Sequence, residues 1–170
     1  MSAAETMVRM GELAVSGVPG HALVALGLGS CIGLGLVDRR VGVAGLAHVV
    51  LPESLGHVHQ NPRKFADLAL PEMLDLLEDA GARRVRLEAV LVGGASMFAA
   101  SAARLEVGQR NEAAVRDLLK ELRIPIVAAA TGGNRGRTVR IDVASAAVTV
   151  REAGGKDTEL LPGSMILEAA

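Results

Sequence analysis

Residues 24–52 read VALGLGSCIGLGLVDRRVGVAGLAHVVLP and hold the chain's only cysteine, Cys31, with one of its four histidines, His48. Large and small residues alternate from Cys31 to Asp38 and again from Val41 to Leu51, on either side of the charged break Asp38-Arg39-Arg40. Alternation of period two around a short polar break is the pattern of a β-hairpin. With Arg39 and Arg40 as a two-residue loop, Asp38 faces Val41 and Cys31 faces His48, their Cβ atoms roughly 5 Å apart on one face. The same register sets Gly33 against Leu46, Gly35 against Ala44, Leu34 against Gly45 and Leu36 against Val43, small residues opposite larger ones. Arg-Arg is poor material for a type I′ turn, however, and a bulge slipping the register by one would turn His48 to the other face.

A hairpin of this kind needs a core, and the composition supplies an aliphatic one. The chain has 170 residues, half of them hydrophobic, with a formal net charge of -1, no Trp or Tyr, and two aromatic residues, Phe65 and Phe98. That length suits one domain spanning residues 1–170. The charge balance gives no electrostatic case for nucleic acid or an acidic membrane surface, and base-stacking platforms need aromatic faces that are missing here. One cysteine forms no internal disulfide, which fits a reducing compartment. The N-terminus carries Glu5 and Glu12 where a signal peptide has a basic start and an apolar run. No apolar stretch is long and charge-free enough for insertion into a bilayer. These features together indicate a cytoplasmic protein.

Outward from the hairpin, residues 8–16 and 22–31 read as strands separated by SGVPGH. A helix starts at Asn61 with Pro62 in its first turn, keeps an apolar stripe through Phe65, Leu68, Ala69, Met73, Leu76, Leu77 and Ala80, and ends at Gly81. Pro71 inside that stripe is expected to kink or split it. VRLEAVLVGG (85–94) reads as a buried strand. A second helix opens at Asn111 with its stripe at Ala114, Val115, Leu118, Leu119 and Leu122. IPIVAAATGG (124–133) is another strand, RTVRIDV and AVTVRE form a closing hairpin, and a tail from about residue 155 to Ala170 carries no assigned element. The sum is an α/β domain with a mixed sheet and at least two helices, and its order is not a simple βαβ repeat.

Cys31 beside His48 is a chemical pair if the register holds. A thiol of pKa about 8.5 reacts as thiolate, and an imidazole in contact takes its proton and later protonates a leaving group. Main-chain N–H groups near Ser30 and Cys31 are suitably placed for an oxyanion. The alternative is equally simple: a lone cysteine in an apolar strand is a small buried hydrophobe, and a histidine there is a core residue with its bonds satisfied. The residues alone leave both readings open.

Six stretches taken in order resemble the CheD family of chemoreceptor glutamine deamidases: LGLGSC, AHVVLP, KFAD (with Phe65 where the family usually has Tyr), GGASMF, VGQRN and TGGNRGR. The resemblance covers the chain from about residue 10 to residue 151. The resemblance implies a β-sandwich packed against helices, related to bacterial toxins that deamidate glutamine. It implies conversion of receptor glutamine side chains to glutamate through a Cys31 thioester, with His48 as base and acid, and hydrolysis of receptor glutamyl methyl esters. It also implies partners: the cytoplasmic helices of chemoreceptors and a CheC-type phosphatase. No cofactor or metal is implied. The family's third catalytic residue is a threonine six positions before the cysteine, and here that position is Ala25. A methyl group cannot accept the second imidazole N–H, and in serine proteases spoiling this third position costs about 10⁴ in turnover. A main-chain carbonyl, a water, Thr131 or Asn134 are the candidate substitutes, and Ser30 is a further candidate contributor to the site. The alternative on the same resemblance is a weak or inactive paralogue that binds the phosphatase or the receptor. A cysteine peptidase is a third reading, one that would cut the chain.

The remaining motifs read more plainly. Gly27, Gly29 and Gly33 make a spacing one residue too long for a dinucleotide loop, and a strand follows where a helix is needed. His57 and His59 lie in an irregular loop without a supporting ligand pattern, so a solvated loop is expected rather than a zinc site. His21 falls in a turn and has no role. Arg135 and Arg137 are expected to be solvated turn residues.

Overall fold

The computed structural model describes residues 4–56, 58–96 and 102–164. In chain order the strands are β1 (Ala4–Met7), β2 (Leu13–Ser16), β3 (His21–Leu28), β4 (Ile32–Asp38), β5 (Val43–Val49), β6 (Glu88–Gly93), β7 (Ile126–Thr131), β8 (Arg137–Asp142), β9 (Val148–Glu152) and β10 (Thr158–Leu161). The helices are α1 (Ala66–Asp79) and α2 (Ala102–Glu121). The strands make two five-stranded sheets, ordered β1-β3-β8-β9-β10 and β2-β5-β4-β6-β7. The α/β sandwich with two helices is therefore the architecture expected from the sequence.

Period-two alternation sorts the side chains into two cores. On one face of the second sheet Val37, Ala44, Leu46, Val90 and Val92 meet Leu23, Ala25, Leu28, Val139 and Ile141 of the first sheet. On its other face Leu34, Leu36 and Leu91 meet Leu70, Met73 and Leu77 of α1 and Val115 and Leu119 of α2. The second sheet is thus covered on both sides, and every residue of β4 and β5 is buried.

The hairpin is present, but its register differs from the one expected. Asp38 pairs with Val43 and Gly33 with His48, so Cys31 does not face His48 directly. The loop has four residues, 39–42, closed by Gly42 N–H donating to the Asp38 carbonyl at 3.1 Å. A two-residue type I′ turn needs positive φ at both loop positions, which Arg39 and Arg40 resist, whereas Gly42 takes φ +65° easily. The slip is two positions, so each side chain keeps its face.

Other boundaries move for identifiable reasons. Residues 8–16 are not one strand: β1 lies in the first sheet and β2 in the second, with 8–12 crossing between them. Residues 62–64 form a 3₁₀ turn and α1 begins at Ala66. The helix runs through Pro71, which sits on its exposed side. Asn111 lies in the middle of α2 rather than at its start. His21 begins β3, its Nδ1 2.7 Å from Ser16 Oγ and its Nε2 2.7 Å from Thr6 Oγ1. The tail that the sequence pattern leaves without an element contains β10, which pairs with β9.

Asp38 closes the hairpin end of the molecule. It is buried, and its carboxylate accepts from the main-chain N–H of Arg40 and Arg83 and from the Arg86 guanidinium, at 3.1, 3.0 and 2.9 Å. Burial alone would raise its pKa, but the Arg86 and main-chain hydrogen bonds outweigh that and hold it below the usual carboxylate range. The stabilisation from this charge is present above the ordinary aspartate value of about 3.9 and is lost as pH falls through the lower folded value. Asp38→Asn should lower stability at neutral pH by roughly 1–3 kcal/mol and flatten the acid side of the stability profile. Urea titrations between acid and neutral pH check both effects.

Candidate functional site

The site is built around the bend at residues 29–31, between β3 and β4. Its main chain is fastened at every residue. Ala95 N–H donates to Gly29 O at 2.8 Å, Asn111 Nδ2 to Ser30 O at 2.9 Å, and Gly94 N–H to Cys31 O at 2.9 Å. Gly93 makes this close approach feasible: its φ is +116°, and a Cβ there would stand 2.1 Å from Cys31 O. Asn111 is fully buried and also donates to Val50 O at 2.9 Å, tying the cysteine bend to the end of β5.

A second layer backs the first. Gly132 N–H donates to Gly93 O at 3.0 Å, and Ser96 N–H to Gly133 O at 2.9 Å. Arg137 is buried, not solvated as expected, and its Nη1 donates to Gly132 O at 2.8 Å. It can be buried because main-chain carbonyls and Glu152, 3.3 Å away, take its charge. GGAS, VGQRN and TGGNRGR, far apart in sequence, thus converge on one bend.

His48 stands on β5 facing the other sheet, opposite Gly33. Cys31 lies just before β4, two residues from Gly33, and packs in the core between the sheets, on the side of the second sheet where His48 stands. His48 is 1% exposed and Cys31 7%. His48 Nδ1 lies 3.1 Å from the Val8 carbonyl, which only accepts, so Nδ1 carries the proton of the neutral ring and Nε2 keeps the lone pair. Nε2 is buried and has no hydrogen-bond partner among the described residues, the Cys31 thiol included.

Both groups are neutral at rest. Burial pushes the Cys31 thiol above its usual value, against the pull of its own main-chain N–H. Burial lowers the His48 imidazole, against the Val8 hydrogen bond and the charge of Glu12. A cavity of about 570 Å³ lies over His48, walled by Met7, Val8, Met10, Val24 and Leu26 among others. Met7, Met10 and Leu26 are exposed at its rim.

The other candidates fall elsewhere. Ala25 is buried between the sheets. Thr131 Oγ1 donates to Glu112 at 3.0 Å, so it does not hold His48. Asn134 and Arg135 are exposed in the turn before β8, and Asn134 does not hold His48 either. Ser30 is half-buried in the bend and contributes its carbonyl to Asn111. His59 Nε2 is 2.8 Å from Ser54 O, with its ring on Phe65. His57, Met97 and Phe98 lie outside the described residues. Sequence reasoning missed the roles of Val8, Asn111 and Arg137. The VGQRN stretch did mark Asn111, but Val8 acts through its main chain and leaves no side-chain signature.

The family described as CheD chemotactic sensory transduction matches residues 50–152, a span that begins just after His48. Curated relatives extend over the missing part. The chain is 40% identical to the probable chemoreceptor glutamine deamidase CheD of Clostridium kluyveri, over 91% of this chain and 96% of that one. It is 46% identical to the protein of the same description from Moorella thermoacetica, over 88% and 92%. For that from Clostridium tetani the identity is 42%, over 91% and 94%.

The neutral resting thiol has a direct consequence. Alkylation of Cys31 by iodoacetamide in the folded protein should be slow near pH 7 and rise about tenfold per pH unit to pH 9 and beyond. Mass spectrometry of timed samples measures this rate, and a plateau already reached at neutral pH would contradict a neutral thiol.

Proposed function

Because this chain is a member of the CheD family, we propose that it deamidates glutamine side chains of chemoreceptors, with Cys31 as nucleophile and His48 as base and acid. The observation that carries the reading is the buried His48, whose Nδ1 is held by a carbonyl while Nε2 keeps its lone pair on the face shared with Cys31. Nε2 takes the Sγ proton as Sγ attacks the amide carbon. The imidazolium then gives that proton to the departing ammonia, leaving a thioester. Water, deprotonated by Nε2, attacks the thioester, and the thiol is restored with release of the glutamate side chain. The neutral ring is the form such a base requires, and the thiol closes on Nε2 when substrate fills the site. The same sequence with methanol as leaving group hydrolyses a glutamyl methyl ester.

In this reading the partners are the cytoplasmic helices of the receptors and a CheC-type phosphatase, the protein works in the cytoplasm, and no cofactor or metal takes part. No helix among the described residues is long and apolar enough to cross a membrane.

One observation favours a second reading. The buried thiol with its raised pKa suits a protein that binds the receptor or the phosphatase without turning over.

A receptor cytoplasmic fragment incubated with the protein separates the two. Ammonia release, and the mass shift from amide to acid at mapped glutamines in an uncut chain, are expected. Cys31→Ala should abolish both, and His48→Gln should lower the rate by roughly 10²–10⁴-fold. Tight binding without conversion across several receptors would establish the binding role instead, and a cut chain would indicate a peptidase.

A further inference from the structure

The crossover at residues 8–12 carries the chain from one sheet to the other and is pinned to both. Val8 N–H donates to Val24 O at 2.7 Å, Gly11 N–H to His48 O at 3.0 Å, and His48 N–H to Glu12 O at 2.9 Å. Within it, Arg9 N–H bonds the Glu12 carboxylate at 3.0 Å and Glu12 N–H bonds Arg9 O at 2.9 Å. Val8 itself is 2% exposed. The parallel register of β1 on β3, Met7 beside Val24, sets Val8 beside Ala25 when carried one residue further.

We propose that the Val8 main-chain carbonyl, held in place by this crossover, is the positioning group for His48. The carbonyl accepts the Nδ1 proton at 3.1 Å and fixes both the ring's orientation and its tautomer, so a hydroxyl at position 25 is not needed. A main-chain acceptor suits the task. It has no side-chain torsion to lose, and its position is set by the hydrogen bonds at Val8, Gly11 and Glu12. It is uncharged, so unlike a carboxylate it does not hold the ring as an imidazolium between turnovers. The crossover also forms one wall of the cavity over His48, so ligand and base share a boundary.

The catalytic meaning of this positioning rests on the deamidase reading, but the positioning has its own readout. Long-range ¹H–¹⁵N correlation spectra of labelled protein report the histidine tautomer directly. The expected result near neutral pH is an Nδ1–H tautomer for His48, in the parent protein and in Ala25→Thr alike. Ala25→Thr should leave kcat within about threefold, against the roughly 10⁴-fold effect of a spoiled third position in a serine protease. Ala25→Ser makes the same comparison with less added volume, should threonine overfill the core. Replacing the peptide bond after Val8 by an ester weakens only that carbonyl as acceptor and removes the Arg9 N–H. It should lower kcat about tenfold at unchanged KM and mix the tautomers, whereas Glu12→Ala, which breaks the same Arg9 contact, should leave the tautomer unmixed.

An Nε2–H tautomer, a gain in kcat above tenfold on adding a hydroxyl at position 25, or an ester no different from Glu12→Ala would each overturn the proposal. A protein that shows the Nδ1–H tautomer yet releases no ammonia would refute the deamidase reading and leave the positioning intact.

Discussion

The register of β4 against β5 is the constraint from which the rest of the molecule follows. β4 is hydrogen-bonded along its length to β5 on one side and β6 on the other, so its alignment sets that of the whole second sheet. A slip of one residue would exchange the two cores, sending Leu34 and Leu36 toward the other sheet and the small residues Gly33 and Gly35 toward the helices. The spaces are not interchangeable. A Cβ at Gly33 would meet Leu28 at 2.8 Å and one at Gly35 would meet Ile141 at 2.7 Å, so at these two positions the sheets approach too closely for a side chain on β4 without a shift of its neighbours. Asp38 and Gly42 lock that alignment at the hairpin end, the first by charge and the second by backbone freedom.

This constraint also explains which parts of the structure could be read from the sequence. The hairpin, the Gly81 end of α1 and the β8–β9 hairpin are local, and each carries its own signal in alternation, stripe or turn chemistry. Facing is more legible than pairing. Placing the loop at Arg39-Arg40 rather than at residues 39–42 put the wrong residue opposite His48, yet the error was two positions, and a period of two returned His48 and Cys31 to the right face. The failures are non-local. Residues 8–16 look like β throughout, yet only Leu13–Ser16 form a strand, and nothing in them says that 8–12 cross from the sheet of β1 to that of β2. Arg137 looks like a turn arginine until the carbonyl of Gly93 arrives from β6 to join that of the nearby Gly132.

The site repeats the pattern at finer scale. Cys31 and His48 stood out in the sequence because thiol and imidazole are side-chain chemistry. The groups that hold them are mostly main chain: the carbonyls of Gly29, Ser30 and Cys31 bound by Ala95, Asn111 and Gly94, and the carbonyl of Val8 on His48. A carbonyl is the same at every residue, so position alone makes it functional, and position is what folding supplies. Only Asn111 among these uses a side chain, and its two bonds join residues 30 and 50, one before the cysteine and two after the histidine. It ties the cysteine bend to the end of β5 in addition to the β4–β5 ladder, so α2 braces this region as well as covering the core.

An uncharged thiol and an uncharged imidazole set in an apolar layer have one further consequence. Moving the Sγ proton to Nε2 creates two charges where burial disfavours both, as the raised thiol and lowered imidazole values indicate. The resting protein is therefore protected from forming the thiolate–imidazolium pair that makes exposed catalytic cysteines vulnerable to oxidation and alkylation. Chemistry at this pair has to be coupled to something that stabilises charge at the moment it forms. In the proposed deamidation, an amide carbonyl becoming an oxyanion would relocate the thiolate's charge onto oxygen, where main-chain N–H groups stabilise it, and the Glu12 carboxylate favours a positive imidazole. The low polarity that silences the free thiol thus also strengthens the interactions that substrate brings, because each is screened less in the buried site than in water.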